Sequence, residues 1–128
     1  MLSNMEAIAT VGVRDIEKAR AFYSQVLGLQ EGEAAACTGG EVLSFKSGNS
    51  QIYVYRSEFA GTNQATAITW DVGERIGEVV AALKARGASF EHYDMEGMQR
   101  EGDIHIGGGM KVAWLKDPDG NILNFAGR

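Results

Sequence analysis

The residues best equipped for acid–base or metal chemistry gather in the second half of the chain. His92, Asp94 and Glu96 alternate in "EHYDME", and a strand running through them would turn all three toward one face. Such a face could hold a metal, but charges on an edge strand also discourage pairing with another chain. We expect the solvated edge. His105 follows Asp103 by two residues in "GDIHIGGGM", where the carboxylate could orient the imidazole as a general base. His92 is the chain's only other histidine, so His105 is the catalytic candidate by elimination. The glycines at 107–109 end without the GK[ST] of a phosphate-binding loop and read as a bend or hinge.

Cys37 is the only cysteine. That excludes an internal disulfide and any multi-cysteine metal site, and with no visible activating neighbour it reads as structural. Asp117 and Asp119 in "DPDGN" have the look of a catalytic carboxylate pair. A turn explains them better, with Asp117 accepting local backbone hydrogen bonds, Pro118 presetting φ, and Gly120 closing a type I turn. Beyond it, "NILNFA" carries Asn124, a lone donor and acceptor in an otherwise apolar strand. Tyr53, Tyr55 and Trp114 combine apolar bodies with polar tips, as small-ligand pockets require. Thr62 and Asn63 in "SEFAGTNQ" offer polar contacts at a crossover loop, with a tight turn as the alternative reading.

A repeat positions these residues. "IATVGVRDIEKARAFYSQVLGL" from Ile8 and "AITWDVGERIGEVVAALKARGA" from Ala67 align without gaps at a constant offset of 59. Thr10 falls on Thr69, Asp15 on Glu74 and Gly28 on Gly87. Each copy opens with strand-like alternation. An acidic residue then stands at a helix start, where the helix dipole favours it, and a glycine suits a left-handed cap at the helix end. Ile76, Val79, Val80 and Leu83 make an apolar helical stripe, as do Ile16, Ala19, Tyr23 and Val26. Trp70 shares the parity of Val72 and should pack beneath the second helix. Strand-like stretches follow each helix: "EVLSFKS" and "SQIYVYRS", then "SFEHYD", "MKVAWLKD" and "NILNFA".

The expected fold is α+β: two tandem βαβββ modules, at about 1–57 and 64–128, within one domain. Paired, they form a curved, cup-shaped mixed sheet with the helices outside. Residues 96–109 form a glycine-rich insertion, and His105 is expected in a flexible part of it that arches over the cup.

The 128-residue chain, 45% hydrophobic and 23% charged, has the make-up of a globular domain. Its net charge of −5 and lack of a basic cluster argue against nucleic acid as a partner. No run approaches the roughly 18 apolar residues of a membrane span, and the N-terminus lacks a signal-peptide pattern. A cytoplasmic location is the expectation.

"VGVRDIEKARAFYSQVLGL" with "AWLKDPDGNILNF" resembles the vicinal oxygen chelate superfamily of glyoxalase I, bleomycin- and fosfomycin-resistance proteins and extradiol dioxygenases. The resemblance covers essentially the whole chain, and "YVYRSEFAGTNQAT" is most similar to small bacterial members known only as glyoxalase-like. It implies a divalent metal held in the cup by His, Gln or Glu from the first and last strand of each module. The corresponding places here are Ile8, Ile52, Ala67 and Asn124. Aliphatic side chains cannot coordinate, and one neutral amide is a poor ligand for zinc, nickel or iron(II). No metal or other cofactor is therefore expected, a divalent metal being the alternative.

Asn124 should then face the cup, either orienting a bound carbonyl or hydroxyl or satisfied by neighbouring backbone. The expected function is binding of a small organic molecule. The alternative is a lyase, isomerase or dioxygenase reaction, for which Lys111 is the nearest cation able to stabilise an oxyanion. Related small proteins commonly pair, so a homodimer is expected.

Overall fold

The computed structural model describes residues 1–33 and 41–128; Cys37 lies outside the described residues. After a short 3-10 turn at Leu2–Asn4, the first module runs β1 (Ala9–Val13), α1 (Ile16–Ala21), β2 (Gln30–Glu31), β3 (Val42–Ser47) and β4 (Ser50–Arg56). The second runs β5 (Thr66–Gly73), α2 (Ile76–Ala85), β6 (Phe90–Glu91), β7 (Gln99–Glu101), β8 (Ile104–Gly107), β9 (Met110–Lys116) and β10 (Ile122–Gly127). This is an α+β fold of two modules. Among the described residues no helix is long and apolar enough to cross a membrane.

The helix starts differ between the copies. Asp15 caps α1, its carboxylate accepting the Lys18 N–H at 3.1 Å. Glu74 does not act in this way: the residue at the start of α2 is Arg75, which makes no side-chain cap. Both helices close on glycines in the left-handed region, Gly28 at φ 73° and Gly87 at φ 97°. The last turns of the first helix, Phe22–Val26, widen into π geometry.

Each module builds its own sheet. The first has four strands in the order β1-β4-β3-β2; the second has six, ordered β5-β10-β9-β8-β7, with β6 also pairing with β9. β1 pairs parallel with β4, and β5 parallel with β10, while β1 and β5 approach each other where the sheets meet. One face of each sheet lies under its helix. Val11, Val13, Leu43, Phe45, Ile52 and Val54 pack with Ala19 and Tyr23, and the same cluster continues into Ile68, Leu83, Leu115, Leu123 and Phe125. Trp70 joins this side, stacked on Phe125 at 5.3 Å, its Nε1–H donating to Ser47 Oγ at 2.9 Å. The apolar core is thus continuous across both modules.

The glycine-rich stretch is not a flexible arch. It folds into the β7–β8 hairpin, and β8 joins the sheet through His105 opposite Val112. Regular pairing absorbs the backbone groups that a loop would leave to water.

The β9–β10 turn locks the modules together. Buried Asp117 accepts the Asp119 and Asn121 N–H groups through Oδ1, and its Oδ2 accepts from Asn121 Nδ2 and from the Tyr23 hydroxyl, both at 2.8 Å. Asn121 Nδ2 also donates to the Gly12 carbonyl at 2.8 Å. Gly120, at φ 91°, closes the turn with its N–H on the Asp117 carbonyl. Burial, and then the neighbouring Asp117 carboxylate, hold the Tyr23 phenol protonated far above its usual range.

Candidate functional site

The face of each sheet away from its helix forms the cup. Side chains alternate across a strand, so the partners of the core residues identify the opposite face. Thr10 lies opposite Tyr53, and Gly12 opposite Tyr55, in the first sheet. Thr69 lies opposite Asn124, and Asn124 opposite Trp114, in the second. Val112 shares the parity of Trp114 and brings His105 onto the same face.

One of the four metal places therefore moves. Ile52, 3% exposed, packs in the core opposite Phe45, under the first helix. Tyr53 holds the position opposite Thr10 that Asn124 holds opposite Thr69. Matching the turn at Gly48-Asn49 to that at Gly120-Asn121 puts Ile52 on Asn124, one residue away from this pairing, and a one-residue slip reverses the side-chain face. Ile8 and Ala67 are exposed, and neither carries a donor atom on its side chain. With tyrosine in place of isoleucine the set is Ile8, Tyr53, Ala67 and Asn124, without an imidazole or a carboxylate. This donor chemistry does not fit a tight divalent transition-metal site. Among the described residues, no three His, Cys, Asp or Glu side chains are grouped to hold one.

Asn124 is 7% exposed, and among the described residues its amide nitrogen meets only the Ala113 carbonyl, at 3.5 Å. That is the outer limit of a hydrogen bond. Tyr53 is half-buried and Tyr55 exposed on the companion sheet. Trp114 sets an indole beside Asn124, with its ring edge-on to Tyr93 at 5.3 Å and to His105 at 5.0 Å.

His105 is not placed as a general base. The ring is 1% exposed; Nε2 accepts the Tyr93 N–H at 3.0 Å, and Nδ1 faces the Val112 carbonyl at 3.3 Å. An accepting Nε2 puts the ring proton on Nδ1, so both nitrogens are occupied by backbone. Asp103 does not orient it. That carboxylate instead bonds Lys84 and His92, each at 2.7 Å, and these two partners hold it below the usual carboxylate range. Arg100 completes the cluster by donating to His92 Nδ1 at 3.0 Å.

The remaining candidates separate by location. The strand through "EHYDME" stops at Glu91, so His92, Asp94 and Glu96 do not share a strand face. Thr62 and Asn63 are spent within their own loop. The Thr62 hydroxyl donates to the Phe59 carbonyl at 2.8 Å, and Asn63 Oδ1 accepts the Ala65 N–H at 3.0 Å. Lys111, opposite Gly127 on β10, has the parity of Ala113 and lies on the helix side of the sheet. Thr10, Thr69 and Tyr93 belong to the cup face or its rim without having been candidates. The offset that places Thr10 on Thr69 was the available signal for the first two.

The chain matches the model of the Glyoxalase/Bleomycin resistance protein/Dioxygenase superfamily over residues 7–125. Among curated proteins none matches the sequence. Similar solved structures include glyoxalase/bleomycin resistance protein/dioxygenase from Alicyclobacillus acidocaldarius, with TM-score 0.70, 18% identity, and coverage of 97% of this chain and 91% of that one. Lactoylglutathione lyase from Agrobacterium tumefaciens aligns with TM-score 0.68 at 17% identity, covering 97% and 93%. The fosfomycin resistance protein FosX from Listeria monocytogenes aligns with TM-score 0.70 at 16% identity, covering 100% and 95%. At these identities the likeness is one of fold.

Proposed function

The chain belongs to the Glyoxalase/Bleomycin resistance protein/Dioxygenase superfamily, and from that premise we propose that it binds a small organic molecule in the cup without a divalent metal. The observation that carries this reading is Asn124: a buried amide with a single long backbone contact, opposite Thr69 and beside Trp114. An amide so weakly bonded gains when a guest completes its hydrogen bonds. Aromatic surface next to it supplies the apolar contact that small-ligand sites use.

Catalysis of the lyase, isomerase or dioxygenase kind finds less support. Such chemistry needs a Lewis acid, a positioned base or a cation facing the reacting atoms. The metal places carry neither imidazole nor carboxylate, His105 has both nitrogens occupied, and Lys111 lies across the sheet. A thermal-shift screen of small organic compounds tests the proposal: ligands should raise the melting temperature of the wild type and act far more weakly on Asn124→Leu.

The partner set includes a second copy of this chain. Among the described residues β2 and β7 end their sheets with unpaired backbone groups, and Tyr55 and Phe59 are 39% and 78% exposed. Light scattering should give a dimer mass; a monomer at micromolar concentration would refute this.

A further inference from the structure

Next to the cup face is a cavity of about 350 Å³, formed where the chain from Tyr93 to Arg100 passes His105. Tyr93 and His105 stack with centroids 6.3 Å apart and planes at 30°, and Trp114 meets both edge-on. The imidazole cannot swing away, since backbone groups hold both of its nitrogens. Gly107 seats the chain on the strand: a Cβ there would lie 2.4 Å from the Gly97 carbonyl oxygen. Tyr93 and His105 of this fixed stack line the cavity. Met95 and Met98 line it too, and methionine adapts readily to differently shaped guests.

Two further features describe the guest. The Tyr93 hydroxyl is buried and has no hydrogen-bond partner among the described residues, which is costly as it stands. Asp94 and Glu96 line the same cavity and join no ion pair among the described residues. Arg100, the one cationic side chain there, is directed to His92 and the Gly102 carbonyl. We propose that this cavity takes a planar, cationic ring that carries a hydrogen-bond acceptor. The ring lies against Tyr93, the rim carboxylates favour its charge, and its acceptor receives the Tyr93 hydroxyl as neighbouring side chains rearrange.

The inference rests on the cup face being a ligand site and names the chemical class of the ligand. Three matched probes test it by calorimetry on the full chain: 1-methylquinolinium-3-carboxamide, neutral quinoline-3-carboxamide and anionic quinoline-3-carboxylate. The cation should bind saturably and at least about fivefold more tightly than the carboxylate, the scale of one cation–π contact. The double variant D94N/E96Q should reduce that preference, leaving the aromatic share. Tyr93→Phe should leave the free protein as stable or more stable, since it deletes an unsatisfied hydroxyl, while weakening the cationic carboxamide severalfold. Equal affinity for the three probes, no saturable binding of the cation, or binding unchanged by both variants overturns the inference. If the probes fail while a screened compound still depends on Asn124, the inference falls and the proposed function stands; if both fail, both fall.

Discussion

Tyr53 and Asn124 are register equivalents: Tyr53 faces Thr10 across β4 and β1, and Asn124 faces Thr69 across β10 and β5. The two modules thus place a phenol and an amide at corresponding points of the cup. One is half-buried and the other buried, so the cup is chemically lopsided, with its less accessible polar group in the second module.

Asn124→Leu separates ligand orientation from structural support. If the amide orients a guest, affinity for a screened ligand falls by about 1–3 kcal/mol, the usual cost of an unmatched polar atom, and the melting temperature stays nearly constant. A lowered melting temperature with unchanged affinity would mean that the long bond to the Ala113 carbonyl is its real task.

Asn124→Glu restores the carboxylate that the superfamily commonly places there, yet Ile8 and Ala67 remain aliphatic and Tyr53 remains a phenol. Stable transition-metal sites need about three or four ligands. Neither the wild type nor this variant should hold a stoichiometric divalent ion. Elemental analysis finding about one nickel, zinc, iron or manganese per chain in either would refute the metal-free reading.

His105→Ala should act on stability. It removes a fully buried ring from the stack with Tyr93 and Trp114 and leaves the Tyr93 N–H without its acceptor. A loss of about 2–4 kcal/mol is expected from comparable core truncations, read from denaturant unfolding. Unchanged stability would restore His105 as a candidate for chemistry.

Tyr23 should make the alkaline limb of stability steep. Its folded-state pKa is raised above the ordinary 10.0, first by burial and then by Asp117. Its contribution is fully present below pH 10.0 and is lost as pH rises further, because the unfolded chain releases a proton that the folded chain retains. The slope approaches about 1.4 kcal/mol per pH unit. In Tyr23→Phe the limb should be flatter; an equally steep limb would show that other groups govern it.

Much of the architecture was legible because it rests on periodicities. The aligned copies located both strand–helix openings, and the parity of Trp70 with Val72 placed it under α2. What escaped notice depended on pairings between distant strands. Ile52 was assigned by matching two turns, while its face is set by Phe45 and Ala9 on neighbouring strands. His105 looked mobile amid glycines because nothing local announces that β9 will pair with its strand. Asp103 stood within reach of it in sequence but bonds Lys84 on α2 and His92 instead. Side-chain partners of this kind are chosen by tertiary packing.

The Asp117 turn also bears on how the chain is made. Its bonds to Tyr23 and, through Asn121, to Gly12 span 94 and 109 residues. Asp117 and Asn121 must therefore have left the ribosome before the first module can complete these bonds to its own helix and first strand. Until the second module follows, Leu27 and Leu29, which line a junction with Trp70, Val79 and Phe125, remain uncovered. Such long-range closure slows folding and exposes apolar surface to aggregation. A messenger truncated ahead of Asp117 should therefore yield a product for proteases rather than a free-standing first module.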